Sequence, residues 1–92
     1  MTSIVRHQVT IRNKLGLHAR AATKLAKLTH EFAANVYLIQ DGQKVDASSV
    51  MCLLLLASGQ GRTIEIVAEG PDAQAAADAV AQLVEARFDE EQ

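Results

Sequence analysis

Aromatic side chains are nearly absent from this chain: two phenylalanines, one tyrosine and no tryptophan, 3% of its 92 residues. Apolar residues still make up 49%, so the core must be assembled from alanine, valine, leucine and isoleucine. Small side chains of that kind let elements approach closely, which favours helices packed on one face of a sheet. The same scarcity leaves no stripe of aromatic and basic residues on which nucleic-acid bases could stack. A formal charge of -2 argues against a nucleic-acid surface as well.

Cysteine is equally scarce. Cys52 stands alone, which excludes a disulfide framework and a cysteine-based metal site and fits a reducing compartment. No His, Asp or Glu pattern has metal-ligand spacing, so no metal is expected. Long apolar runs are missing too: the longest, Val50 to Ala57, is far too short to span a bilayer. Met1-Thr2-Ser3-Ile4 lacks the apolar stretch of a signal peptide, so the expectation is a soluble cytoplasmic protein without membrane insertion. A chain of 92 residues suits a single domain over residues 1–92 with one modest core.

What is present is clear periodicity. Val5, His7, Val9 and Ile11 alternate with polar residues, which predicts a strand over Val5 to Arg12 with one wet face. From Ala19 to about Phe32 the stripe Ala22, Leu25, Ala26, Leu28, Thr29 and Phe32 predicts a helix, with Lys24, Lys27 and Glu31 facing out. Asn35 to Gln40 and Gln43 to Asp46 read as two strands joined by the hairpin signal Asp41-Gly42. Asp46-Ala47-Ser48-Ser49 offers several caps for a short helix from Val50 to about Ala57. Arg62 to Glu69 predicts a fourth strand, and Gly70-Pro71-Asp72 a break before a last helix. That helix carries Ala73, Ala76, Ala77, Val80, Leu83, Val84 and Phe88 on one stripe, and Asp89-Glu90-Glu91-Gln92 reads as a frayed acidic tail. The fold expected is α+β, an open-faced β-sandwich in which four mostly antiparallel strands carry three helices on one face in the order βαββαβα. Strand order does not follow from the sequence.

Chemistry concentrates in Gly16-Leu17-His18-Ala19-Arg20-Ala21-Ala22, where the strand pattern gives way to the first helix. No Ser, Thr or Asp precedes that helix as an oxygen cap, which leaves His18 at the cap position. A helix start offers unpaired N–H groups and the positive end of the dipole, and so attracts an anion. A neutral His18 ring could act as nucleophile toward phosphorus. The backbone N–H groups of Ala19 and Arg20, with the Arg20 guanidinium, could hold the phosphoryl oxygens. Gly16 would let the backbone bend so that the ring stands clear. On spacing alone the same residues also suit an exposed cap and a solvated arginine.

This segment, followed by Lys24-Leu25-Ala26, resembles the active-site signature of the histidine-containing phosphocarrier (HPr) family of the bacterial phosphotransferase system. Asp46-Ala47-Ser48-Ser49-Val50-Met51 is similar to the family's second motif, and Gln60-Gly61-Arg62-Thr63-Ile64-Glu65-Ile66 to its fourth strand. Asn13-Lys14-Leu15-Gly16 and Phe88-Asp89-Glu90 look more like its nitrogen-related branch (NPr) than its sugar-transport branch. The resemblance covers nearly the whole chain. It implies a stoichiometric phosphoryl carrier, not an enzyme with turnover of its own, and it requires no cofactor. His18 would accept phosphate on Nδ1 from an enzyme I type protein and pass it to an enzyme IIA type protein, with Arg20 orienting the phosphate. The family commonly has proline where this chain has Ala21. Alanine is a good helix former and adds an N–H, so the helix should survive with a changed electrostatic environment.

The resemblance also places a regulatory phosphorylation site on Ser49, although a plain helix cap is the preferred reading, with Ser48 as competitor. The helix from Val50 is apolar almost all round, so part of it must stay exposed or meet a partner. In HPr-like proteins the matching surface docks partner proteins. Val50, Met51 and Leu54 are accordingly candidates, with Met51 and Leu54 expected to face solvent. His7 and His30 are not expected to be functional, and Cys52 is read as packing. A monomer is expected. Two other classes remain open: a non-catalytic regulatory docking module, and a domain that binds a free anion at the same helix start.

Overall fold

A computed structural model describes residues 3–56 and 58–91. Its elements are β1 (Ile4–Thr10), α1 (Ala19–Thr29), β2 (Asn35–Gln40), β3 (Gln43–Asp46), α2 (Val50–Leu56), β4 (Thr63–Glu69) and α3 (Ala73–Glu85), followed by a 3-10 turn at Arg87–Asp89. Met1 and Thr2, the expected helix end at Ala57, and Gln92 lie outside the described residues. The strands form one sheet in the order β1-β4-β2-β3. Every neighbouring pair is antiparallel, with Val9 opposite Ile64, Leu38 opposite Ile66, and Leu38 opposite Val45.

Alternation along the strands decides which face is covered. Val9, Val36, Leu38, Ile64, Ile66 and Ala68 point to one side and are buried in the same cluster as Leu25, Ala76, Ala77, Val80 and Val84 from the helices. The other side carries Arg6, Gln8, Tyr37, Glu65 and Glu69. Val67 is buried there outside the main core. Along α3, Ala73, Ala76, Ala77 and Ala81 keep the helix thin where it meets the sheet. These small residues replace aromatic bulk, as the composition implied.

The hairpin forms as expected: Asp41 and Gly42 both have positive φ, 51° and 82°, which suits the twist of the flanking strands. Several boundaries differ from the sequence reading, by a single residue where β1 starts at Ile4 and β4 at Thr63. β1 leaves regular pairing at Thr10, although Ile11 still exchanges hydrogen bonds with Arg62 and Gly61. α1 ends at Thr29, not Phe32. Beyond Thr29 the amides of Glu31 and Phe32 bond three residues back, to Leu28 and Thr29, tightening the last turn. The Ala33 N–H then donates to the Asp72 carboxylate at 2.7 Å, so the apolar stripe runs on while the helix does not. A further correction concerns the end of the chain: α3 stops at Glu85, so Phe88 leaves the expected helical stripe although it is fully buried, and Asp89 and Glu90, expected in a frayed tail, are held by backbone bonds to Ala86 and Arg87.

Candidate functional site

The loop before α1 is fixed by Gly16. Its φ is +63°, and a Cβ there would stand 2.5 Å from the Ser58 carbonyl oxygen and 2.8 Å from Gly59 Cα. That close approach lets the Leu17 N–H donate to the same carbonyl at 2.8 Å. Leu17 is buried beneath the loop, and the next residue, His18, is left at the helix start.

His18 is the N-cap residue of α1, in extended conformation, and its side chain makes no cap hydrogen bond. The first ladder bond runs from the Ala22 N–H to the His18 carbonyl at 2.8 Å. The amides of Ala19, Arg20 and Ala21 therefore precede the ladder, at the positive end of the dipole. The His18 ring keeps 26% of its surface exposed, so it is accessible without being loose. Ala21 is buried and the helix forms across it, as expected of alanine in place of the family's proline. Arg20 is exposed and lines, with Lys14, Leu15, His18, Glu90 and Glu91, an open cavity of about 620 Å³. The structure thus brings His18 and Arg20 to one cavity wall.

Two polar residues of the site, Asn13 and Glu90, lie in the segments that resemble the nitrogen-related branch, but the sequence assigned neither a place beside His18. Glu90 Oε2 is hydrogen-bonded to His18 Nε2 across 72 residues of chain. Asn13, fully buried, donates from Nδ2 to the Gly16 carbonyl at 2.7 Å and to Glu90 Oε1 at 3.0 Å. Lys24, expected to face out, instead reaches the Phe88 carbonyl with Nζ at 2.8 Å. Burial opposes ionisation of the Glu90 carboxyl, but the hydrogen bonds from His18 and Asn13 and the charges of His18 and Lys24 outweigh it, and the group titrates below its ordinary value.

In α2, Met51, Leu54 and Leu55 fall at i, i+3 and i+4, and all three are exposed, Met51 by 69% and Leu55 by 71%. Leu53 and Leu56 fill the core on the opposite side, and Val50 is half-buried against it. Leu55 was not singled out from the sequence, because an all-apolar helix does not reveal its phase. The chain leaving α2 reaches Ser58 and Gly59, which abut Gly16 in the loop that carries His18. Ser49 Oγ accepts the Cys52 N–H at 3.2 Å, the geometry of a helix cap. Ser48 turns back instead, its hydroxyl donating to Asp46 at 2.7 Å. Among the described residues no cluster of three or more His, Cys, Asp or Glu is placed to hold a metal ion, and no helix is long and apolar enough to cross a membrane.

Comparison with known proteins agrees with this geometry. The family model described as "PTS HPr component phosphorylation site" matches residues 5–86. The phosphocarrier protein NPr of Shewanella violacea is 56% identical over 90 residues, covering 98% of each chain. The phosphocarrier protein HPr of Cupriavidus necator is 44% identical over 87 residues, covering 95% of this chain and 98% of its own. Among solved structures, HPr-C-His from Thermoanaerobacter tengcongensis superposes with a TM-score of 0.91 at 34% identity, over 96% of this chain and 99% of that one. A match of this extent, on the fold derived above, places the chain in the HPr family: it is a phosphocarrier of the phosphotransferase system, which carries phosphoryl groups stoichiometrically and has no turnover of its own.

Proposed function

We propose that His18 accepts the phosphoryl group on Nδ1 from an enzyme I type protein and delivers it to an enzyme IIA type protein. The observation that carries this reading is the position of His18 as an N-cap whose side chain caps nothing, next to amides that have no helical acceptor. Phosphoryl transfer asks mainly for alignment and for positive charge on the non-bridging oxygens. The amides of Ala19 and Arg20 supply donors at the helix start, and the Arg20 guanidinium supplies the charge. Nδ1 is the ring nitrogen left free, because Nε2 is engaged by Glu90.

Met51, Leu54 and Leu55 form the surface on which donor and acceptor proteins dock in turn, with Val50 at its margin. A flexible thioether among leucines repacks easily against successive partners. Interfaces that must release the phosphoryl group again are expected to be small and transient. Ser49 acts as the cap of α2, not as a regulatory phosphorylation site, since its oxygen already serves the Cys52 amide. The protein works as a cytoplasmic monomer of one domain, in the nitrogen-related branch. The greater identity to an NPr than to the Cupriavidus HPr supports that branch.

The test is incubation with phosphoenolpyruvate and an enzyme I type protein. An acid-labile, base-stable phosphate should form on the wild type and not on His18→Ala. Normal labelling of His18→Ala would remove His18 from the reading. A chain that stays unlabelled yet binds partners would be a docking module only.

A further inference from the structure

Arg87, Phe88 and Asp89 have φ of 59°, 52° and 64°, three consecutive non-glycine residues in the left-handed region. A left-handed backbone is strained for each such residue and persists only where the surroundings over-determine it. Here the surroundings do. Phe88 is fully buried, Lys24 Nζ holds the Phe88 carbonyl, and the amides of Asp89 and Glu90 bond back to Ala86 and Arg87. An ordinary helix end would need none of this. What the turn achieves is to deliver Glu90 to the ring of His18, where Asn13 Nδ2 binds its other carboxylate oxygen.

We infer that Glu90 is a positioning residue for phosphoryl transfer, holding the His18 ring as the Nε2–H tautomer so that the lone pair stands on Nδ1. A carboxylate accepts and does not donate, so a neutral ring hydrogen-bonded to it must carry its proton on Nε2. This inference rests on His18 as the phosphoryl acceptor. In the transfer step the Nδ1 lone pair forms the new N–P bond, while the bond between phosphorus and the donor breaks and its electron pair returns to the donor. The proton stays on Nε2. The ring becomes more positive as its lone pair is committed, and the Glu90 carboxylate balances that charge across the hydrogen bond. Asn13 acts one step further out: bonded to both Gly16 and Glu90, it fixes the carboxylate relative to the loop that carries the nucleophile.

The test uses the full chain, with Glu90→Ala and Glu90→Gln variants, labelled by phosphoenolpyruvate and an enzyme I type protein. Side-chain nitrogen NMR of the unphosphorylated protein reads the His18 tautomer directly. The wild type should show Nε2–H with a bare Nδ1. Glu90→Gln, whose amide oxygen still accepts from Nε2–H, should keep that tautomer and slow labelling only a few-fold. Glu90→Ala should give a mixture of tautomers and slow labelling roughly tenfold. An unchanged tautomer and unchanged rate in Glu90→Ala would overturn the inference, while continued labelling on His18 would leave the acceptor reading intact. If Glu90→Ala fails to fold, Glu90→Gln decides: a tautomer mixture or a rate loss as large as that of Arg20→Ala would contradict the role given to Glu90.

Discussion

The Ser58 carbonyl oxygen lies 2.5 Å from the place a Cβ on Gly16 would occupy, and the same oxygen accepts the Leu17 amide. The loop that presents His18 is therefore seated on the segment that follows α2. Substituting Gly16→Ala combines a left-handed backbone with a clash against main-chain atoms, which cannot swing away. A loss of about 3 kcal/mol in unfolding free energy is expected, measured by denaturant titration. Phosphoryl acceptance should fall as well, because the ring would move with its loop. A neutral effect on both would mean that the loop is not held as described.

Arg20 lies at the surface of α1 and packs into no core, so its removal should leave stability within about 0.5 kcal/mol. Its effect belongs to the phosphoryl oxygens. Arg20→Ala should slow labelling by about 10- to 100-fold, the value of one charge-assisted interaction. Arg20→Lys should fall between, since an ammonium keeps the charge without the planar fork. Transfer kinetics with a purified donor protein separate the three.

The exposed stripe of α2 makes a different prediction. Met51→Glu and Leu55→Glu should each weaken partner binding about tenfold while the thermal midpoint stays unchanged. Leu53, on the buried side of the same helix, is the contrast: Leu53→Ala should cost about 2–5 kcal/mol of stability. Calorimetric binding together with melting curves checks both. Equal affinity for wild type and Met51→Glu would move the docking surface elsewhere.

Glu90 ties stability to pH. Its folded carboxyl ionises below the ordinary 4.5, so the stability it adds is complete above that value. That contribution disappears as the pH falls from 4.5 through the lower folded value. The stability gap between wild type and Glu90→Gln should therefore narrow with acidification across this range. Denaturant midpoints measured from neutral to acid pH test it, and a gap that stays constant would contradict the pairing.

How much of this was legible beforehand depended on the range of the interaction involved. The hairpin strands fall where expected, because alternation and the Asp41-Gly42 turn are local signals. His18 at the cap of α1 was legible from the missing oxygen residue before it. The end of α1 was not, because what stops it is partly the Asp72 carboxylate, 39 residues away, taking the Ala33 amide. Glu90 was illegible for the same reason in stronger form. Nothing in Arg87-Phe88-Asp89 signals a left-handed turn, and tertiary contacts to Lys24 and the core select it. The exposed leucines of α2 lay between these cases: the sequence required some exposure but could not set the helical phase.

The most direct measurement is the position of the new bond in the phosphorylated protein, read by nitrogen and phosphorus NMR of the His18 side chain. The account predicts a single covalent phosphoryl group on Nδ1, with Nε2 still protonated beside Glu90. Phosphorus on Nε2, on any other residue, or held only as a free ion would contradict it.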